Sequence, residues 1–269
     1  MDKARYDDDL RLAHVIADQV DALTMARFGA ADLHVEAKPD LTPVTDADRA
    51  AEAKVREQLS RARPRDAVHG EEMGDTGGGP RRWVVDPIDG TKNFVRGVPV
   101  WATLIALMDG PEVKLGVVSA PALHRRWWAA VGSGAWTGRS LSQARQLHVS
   151  GVNALADASL SYSSLHGWED AGRLESFLDL TRQVWRTRAY GDFWSHVLVA
   201  EGAVDVSCEP ELALHDMAAL VPIVTEAGGR FTDLAGEPGC SGTSAVATNG
   251  LLHTEVLAAL APTTPGRRR

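Results

Sequence analysis

The chain has 269 residues, with 36 acidic against 28 basic side chains for a formal charge of -8, and 44% of its residues are hydrophobic. That length can bury one large core or two ordinary ones, and the negative balance speaks against a general binder of nucleic acid or anionic membrane. Cys208 and Cys240 are too few for a disulfide scaffold, lack metal-ligand spacing and read as ordinary thiols.

The N-terminus, with Asp7-Asp8-Asp9 close behind Met1, has no apolar signal core, and no apolar run approaches membrane-spanning length. The cytoplasm is therefore the expected compartment. Leu10, Ala13, Ile16, Ala17, Val20, Leu23 and Phe28 recur at helical spacing before Gly29, predicting an amphipathic helix over about 8–28. A loop punctuated by Pro39 and Pro43 leads into a second helix over about 46–62 that stops before Pro64. Thr45 is its natural N-cap, with Asp48 three residues on in a capping-box pattern. Asp46 in the first turn has a sufficient explanation in the helix dipole.

Val68-His69-Gly70-Glu71-Glu72 sets two acids after a short apolar step, and taken alone it reads as a solvated loop. Residues 74–81, with Gly77-Gly78-Gly79, read as a further loop. Next comes Trp83-Val84-Val85-Asp86-Pro87-Ile88-Asp89-Gly90-Thr91-Lys92-Asn93-Phe94, an apolar β-branched run that ends in two carboxylates three residues apart. The pattern predicts strand, tight turn and helix start. Pro87 holds Asp86 extended, while Asp89 is expected past the corner, so the two side chains can converge. Converging acids suit a hard divalent cation such as Mg²⁺, to which the Ile88 carbonyl can add an oxygen. The amides opening the following helix form an anion site beside it. The competing reading is two consecutive turns, Asp-Pro and Asp-Gly, with no further role.

Strands are expected over 100–108 and 113–119, joined by an Asp109-Gly110-Pro111 turn, and again over 125–131 and 134–137. Trp127 and Trp128 should pack on opposite faces of one strand. The apolar antiparallel region around Trp101 and Trp127 is a candidate dimer face. From about 150 the pattern alternates: strand 158–163, helix 169–184, strand 186–188, helix 192–201, strand 203–207, helix 215–227, strand 244–248 and helix 251–260. Alternation of this kind argues for a second α/β lobe over 151–269, after an α+β lobe over 1–150.

Gly70-Glu71-Glu72, Asp86-Pro87-Ile88-Asp89-Gly90-Thr91 with Asn93-Phe94, and His215-Asp216-Met217-Ala218-Ala219 leading to Glu226-Ala227-Gly228-Gly229 resemble, in order and spacing, the motifs of the inositol monophosphatase superfamily. The resemblance runs nearly end to end. It implies a layered αβαβα fold and Mg²⁺-dependent hydrolysis of phosphate monoesters, with two or three ions per site and a homodimer as the common assembly. Carried over residue by residue, it implies that Glu71, Asp86 and the Ile88 carbonyl hold one Mg²⁺, and Asp86, Asp89 and Asp216 a second. Thr91 would orient the attacking water, Asp46 would hydrogen-bond to Thr91, and the Gly90 and Thr91 amides would hold the phosphate. By its residues alone, Asp216 reads as a helix cap. The family usually has Trp where this chain has His215, which is read here as a lighter prop under Asp216 rather than a ligand.

Two further acids bear on the substrate. Glu209 matches the family position that receives the organic portion of the ester, and Asp192 follows Gly191 where inositol enzymes usually carry small or hydroxyl residues. Each has a plainer reading, Asp192 as an N-cap and Glu209 as a surface acid. Negative charge beside a phosphate site best suits a cationic leaving group, such as the ammonium and imidazole of L-histidinol phosphate. Arg188-Ala189-Tyr190-Gly191-Asp192-Phe193 and the stretch from Asp89 to Gly97 look like the histidinol-phosphatase branch, with Arg188 and Tyr190 as candidate substrate contacts. The rival readings are an inositol-1-phosphatase or broad sugar-phosphate phosphatase, and a non-catalytic module that kept the fold.

Overall fold

The computed structural model describes residues 6–39 and 41–262; Asp40 and the Arg267-Arg268-Arg269 tail lie outside the described residues. In chain order, α1 (Asp7–Arg27) is followed by a small hairpin of β1 (Val35–Ala37) and β2 (Pro43–Thr45), then α2 (Asp46–Ala62), β3 (Ala67–Gly70), β4 (Gly74–Thr76), β5 (Arg81–Asp89) and α3 (Thr91–Val95). The antiparallel run β6 (Ala102–Asp109), β7 (Glu112–Ala120), β8 (Arg125–Ala130), β9 (Ala135–Ser140) and β10 (Gln143–Gln146) completes a sheet of eight strands ordered β10-β9-β8-β7-β6-β5-β3-β4. Its one parallel pair is β3 with β5. That pairing brings the end of β3, which leads to Glu71, alongside the middle of β5.

The second half contributes β11 (Ser159–Ser161), α4 (His166–Asp170), α5 (Leu174–Gln183), β12 (Arg186–Arg188), α6 (Asp192–Ala200), β13 (Val206–Glu209), α7 (Leu214–Ala218), α8 (Leu220–Glu226), β14 (Arg230–Thr232), β15 (Ala245–Thr248) and α9 (His253–Ala259). Its five strands are ordered β12-β11-β13-β15-β14, with β11 parallel to both β12 and β13. Burial explains the layering. Ile16, Val20 and Val55 of α1 and α2 cover one face of the large sheet. Val197, Ile223 and Val224 of α6 and α8 fill the space between the large sheet and Ala245 and Ala247 of the smaller one. Phe177 and Val256 of α5 and α9 close the outer face. The result is the expected αβαβα sandwich.

Trp127 and Trp128 divide as period-two alternation requires, Trp127 into the inter-sheet core and Trp128 against α1 and α2. Trp101 and Trp127 do not form an outward face. Trp101 packs on Phe94 at 4.9 Å and Trp127 on Phe193 at 6.0 Å, both 0% exposed within the chain's own core. Cys208 and Cys240 are buried free thiols.

Some expected elements differ for local reasons. The helix expected over 169–184 is two helices, because Gly172 at φ +65° turns the chain left-handed and the Arg173 amide reaches the Trp168 carbonyl at 2.9 Å in a Schellman stop. The helix expected over 215–227 is interrupted near Ala219, since Pro222 has no N–H for the Ala218 carbonyl. β1, β4 and β10 are exposed throughout and so carry no apolar alternation to betray them. β4 places an edge strand where residues 74–76 were expected to be loop.

Gly116 on β7 decides how close α7 and α8 come to the large sheet. A Cβ there would meet the Ala219 carbonyl oxygen at 2.2 Å and the Ala219 Cα at 2.8 Å, both backbone atoms that cannot rotate away. Gly116→Ala is expected to lower stability by about 2–3 kcal/mol through overpacking, and to weaken metal binding because Asp216 precedes Ala219 on the displaced segment. Thermal melts and metal titration check both; unchanged metal affinity at reduced Tm would dismiss the coupling.

Candidate active site

The strand–turn–helix at 86–91 forms much as its residues dictate. Asp86 pairs with Leu104 on β6 and is 2% exposed, while Asp89 pairs with Ala102 after a register shift across Pro87 and Ile88. Asp89 thus stays on the strand instead of passing the corner, and the bulge is what re-aims it. Gly90 at φ +86° then turns the chain into α3.

Residues remote in sequence arrive at the same place. Ligand atoms of Asp86, Asp89 and Asp216 lie within 4.8 Å of one another, as do those of Glu71, Asp86 and His215. Burial pushes the carboxyls of Asp86 and Asp89 well above the usual carboxylate range, with Glu71 adding to the effect on Asp86 and Asp192 to that on Asp89. Asp216 rises too, chiefly through burial. The Asp86 Oδ1 atom is buried and accepts no hydrogen bond. A cluster of acids left this way costs free energy unless a cation joins it, so the residues present fit divalent metal. Glu71 already has one cation at hand: the Lys38 ammonium lies 2.6 Å from Glu71 and 2.7 Å from Glu72.

Asp216 Oδ2 accepts the Ala213 amide at 2.7 Å, so the helix-cap reading and the ligand reading describe the same side chain. Asp89 Oδ2 likewise accepts the Phe193 amide at 2.6 Å, at the start of α6. One acid of the large sheet thereby fixes the first turn of a helix that brings Asp192, Phe193 and His196 to the cavity described below.

Thr91 corrects an expectation. Its hydroxyl lies 3.2 Å from Asp48 Oδ1 and 2.9 Å from the Ile88 carbonyl, while Asp46 is engaged by Arg27 at 2.8 Å. Asp46 sits two residues earlier on α2, roughly 200° around the helix from Asp48. Only Asp48 faces the site, and it also closes the capping box by accepting the Thr45 amide at 2.8 Å. Asp48→Asn is expected to lower kcat on the order of 10²-fold with the fold retained, whereas Asp46→Asn should leave it within about twofold. Steady-state assays of the pair decide between the two acids.

The sequence reading also missed Glu52. It is 0% exposed, and its carboxylate takes the amides of Glu72 at 2.7 Å and Met73 at 3.1 Å, shaping the turn that presents Glu71. Gly70 leaves room for it, since a Cβ there would lie 2.0 Å from Glu52 Oε1. The available signal was that Asp48 and Glu52 share the buried stripe of α2 with Ala51, Val55 and Leu59.

Glu71, Asp86, Asp89 and Asp216 line one cavity of about 920 Å³, together with Ile88, Gly90, Thr91, Lys92, Asp192 and Glu209. Asp192 adopts φ +51°, which Asp tolerates better than most residues. Its carboxylate accepts Asn93 Nδ2 at 3.0 Å instead of capping α6. Burial and then Asp216 push Asp192 up to about 6, with Lys92 opposing. Glu209 is 5% exposed, so it is no surface acid, and it accepts the Ser163 hydroxyl at 2.7 Å. Burial carries Glu209 up to about 8 against that hydrogen bond, with Asp192 adding to the rise. Arg188 and Tyr190 do not join them. Arg188 is exposed and donates to the Thr187 carbonyl, and Tyr190 receives Arg186 at 3.1 Å and packs on Trp194 at 5.4 Å. Short strand β12 ends outside the cavity and leaves both turned to local partners.

The Glu209 shift has a sign that can be checked. An acid whose pKa rises on folding, here from 4.5 to about 8, costs nothing at low pH where both states are protonated. The cost grows as pH climbs through that window and is full above it. In metal-free protein, Glu209→Gln should therefore gain Tm over the parent chain progressively from pH 5 to pH 8. A pH-independent difference would reject the burial effect.

The model described as the inositol monophosphatase family matches residues 7–264. The chain belongs to that family. Among its inositol monophosphatase relatives, a histidinol-phosphatase of Streptomyces coelicolor is 66% identical over 256 residues, covering 94% of this chain and 96% of the relative. A histidinol-phosphatase of Mycobacterium tuberculosis is 60% identical over 254 residues, covering 94% and 98%. The solved Thermotoga maritima IMPase superposes with a TM-score of 0.84 at 31% identity, covering 94% of this chain and 96% of the other.

Proposed function

We propose that this inositol monophosphatase family member hydrolyses L-histidinol phosphate to L-histidinol and phosphate with Mg²⁺ as cofactor. The observation that carries the substrate choice is the pair Asp192 and Glu209, one half-buried and one buried acid on one cavity with the metal carboxylates. The relatives named histidinol-phosphatases support it. Glu71, Asp86 and the Ile88 carbonyl would hold one ion, and Asp86, Asp89 and Asp216 another; a third is left to titration. Bound there, Mg²⁺ lowers the pKa of a water and offsets charge on the phosphate and the leaving oxygen.

The protein's own groups do the rest. Thr91 has one hydroxyl proton, directed to Asp48 or the Ile88 carbonyl, so its lone pairs are free to accept a hydrogen bond from the attacking water and aim it at phosphorus. Asp48 is placed to receive the proton through that hydroxyl. The amides of Gly90 and Thr91, at a helix start where no intrahelical acceptor exists, hold the phosphate oxygens. Asp192 and Glu209 pair with the ammonium and imidazole, and an arriving cation favours their ionised forms.

The same proposal includes a division near residue 150, a homodimer and a cytoplasmic location; among the described residues no helix is long and apolar enough to cross a membrane. Purified protein assayed with Mg²⁺ against L-histidinol phosphate, inositol 1-phosphate and fructose 1,6-bisphosphate tests the substrate. A higher kcat/KM for the inositol ester rejects it, and no Mg²⁺-dependent phosphate release from any ester rejects catalysis.

A further inference from the structure

His215 was read from the sequence as a prop beneath Asp216, yet a ring nitrogen of His215 lies within 4.8 Å of carboxylate oxygens of both Glu71 and Asp86. Metal–ligand bonds of about 2.0–2.3 Å span at most roughly 4–4.6 Å between donors on opposite sides of one ion. Three donors around one ion can stand at most about 4 Å apart pairwise, so at the limit of the observed spacing the side chains would close in by on the order of an ångström. Two of the atoms at this spot lack partners: His215 Nδ1 is buried with no hydrogen bond, and so is Asp86 Oδ1 on a residue 2% exposed. His215 Nε2 stands 3.7 Å from Asp216 Oδ1, beyond hydrogen-bonding distance. The His69 ring lies roughly parallel to it, with centroids 6.1 Å apart and planes at 27°, and His69 Nδ1 is in turn 2.7 Å from Asp75 Oδ1.

We propose that the His215 imidazole is a direct metal ligand beside Glu71 and Asp86, and that it shifts this site from a preference for all-oxygen ions toward first-row ions that accept nitrogen. The idea rests on the metal reading of the site given above, and it adds a donor to it. Tryptophan, usual at this position in the family, offers only an N–H donor and cannot ligate a cation. A neutral imidazole can, and it suits Fe²⁺, Co²⁺ and Ni²⁺ better than Mg²⁺. The neighbouring His69 ring limits how far the imidazole can turn.

The test uses Mn²⁺ and Co²⁺ as probes on the full chain. Pulsed EPR of the Mn²⁺-loaded protein should show imidazole ¹⁴N coupling, retained in His69→Phe and absent in His215→Gln and His215→Trp. Co²⁺ titration followed by visible absorption should give a Kd raised on the order of 10–100-fold in His215→Gln, with Mg²⁺ affinity changed less than about threefold. Stoichiometric Mn²⁺ without nitrogen coupling, coupling that survives in His215→Gln, or equal losses for Co²⁺ and Mg²⁺ would overturn the assignment. Binding of no ion at all would overturn it together with the metal reading beneath it. Coupling that persists while histidinol phosphate is not hydrolysed would sink only the substrate.

Discussion

Asp86→Asn is expected to abolish Mg²⁺-dependent phosphate release, by on the order of 10³-fold or more, while raising the Tm of the metal-free protein. The activity loss follows from its position. Asp86 is the one carboxylate common to both clusters of converging ligand atoms, so its loss weakens both metal positions, each worth several kcal/mol of charge stabilisation. The stability gain follows from burial. Asp86 is held above its usual pKa first by desolvation and then by Glu71, Asp89 and Asp216, and Asn removes that repulsion while keeping the shape. Activity assays and calorimetry in EDTA measure the two effects. A variant that lost activity and stability together would point to a structural role for Asp86, and one that kept full activity would end the two-metal assignment.

The second large effect concerns the leaving group. Glu209→Gln and Asp192→Asn should each lower kcat/KM for L-histidinol phosphate on the order of 10²-fold, as expected when one partner of a buried charge pair is neutralised. Turnover of inositol 1-phosphate should change by less than about fivefold, because its hydroxyls can still bond to an amide. Asn is chosen at 192 because it accepts the φ of +51° and can still take the Asn93 contact. The ratio of the two kcat/KM values in each variant reads the prediction directly. Equal losses on both esters would mean that these acids serve the cavity's shape and not its selectivity.

Much of this site was legible because its chemistry is local in sequence. Asp86 and Asp89 converge through a strand, a proline and a bulge within a few residues, and Thr45 with Asp48 announces the start of α2. Choosing between Asp46 and Asp48 as the partner of Thr91 failed for a physical reason: neighbouring acids on a first turn look alike until one knows which side of the helix is buried. Arg188 and Tyr190 were drawn in by proximity to Asp192 in the chain, but Arg188 is spent on the Thr187 carbonyl and Tyr190 on Arg186 and Trp194. Glu52 was overlooked because its work is done on backbone amides, which leave no motif.

By itself the sequence determined the long amphipathic helices, the antiparallel run of the large sheet, the two-carboxylate turn and the family. Those depend on periodicity, turn chemistry and short-range spacing, all of which the chain carries locally. Only the tertiary structure decided that Asp48 and not Asp46 meets Thr91, that Glu209 is buried, that Trp101 and Trp127 are spent in the core, and that His215 comes to Glu71 and Asp86. The first depends on which face of α2 is buried and the last on how closely α7 and α8 settle on Gly116, and in every case it is packing between distant segments that decides.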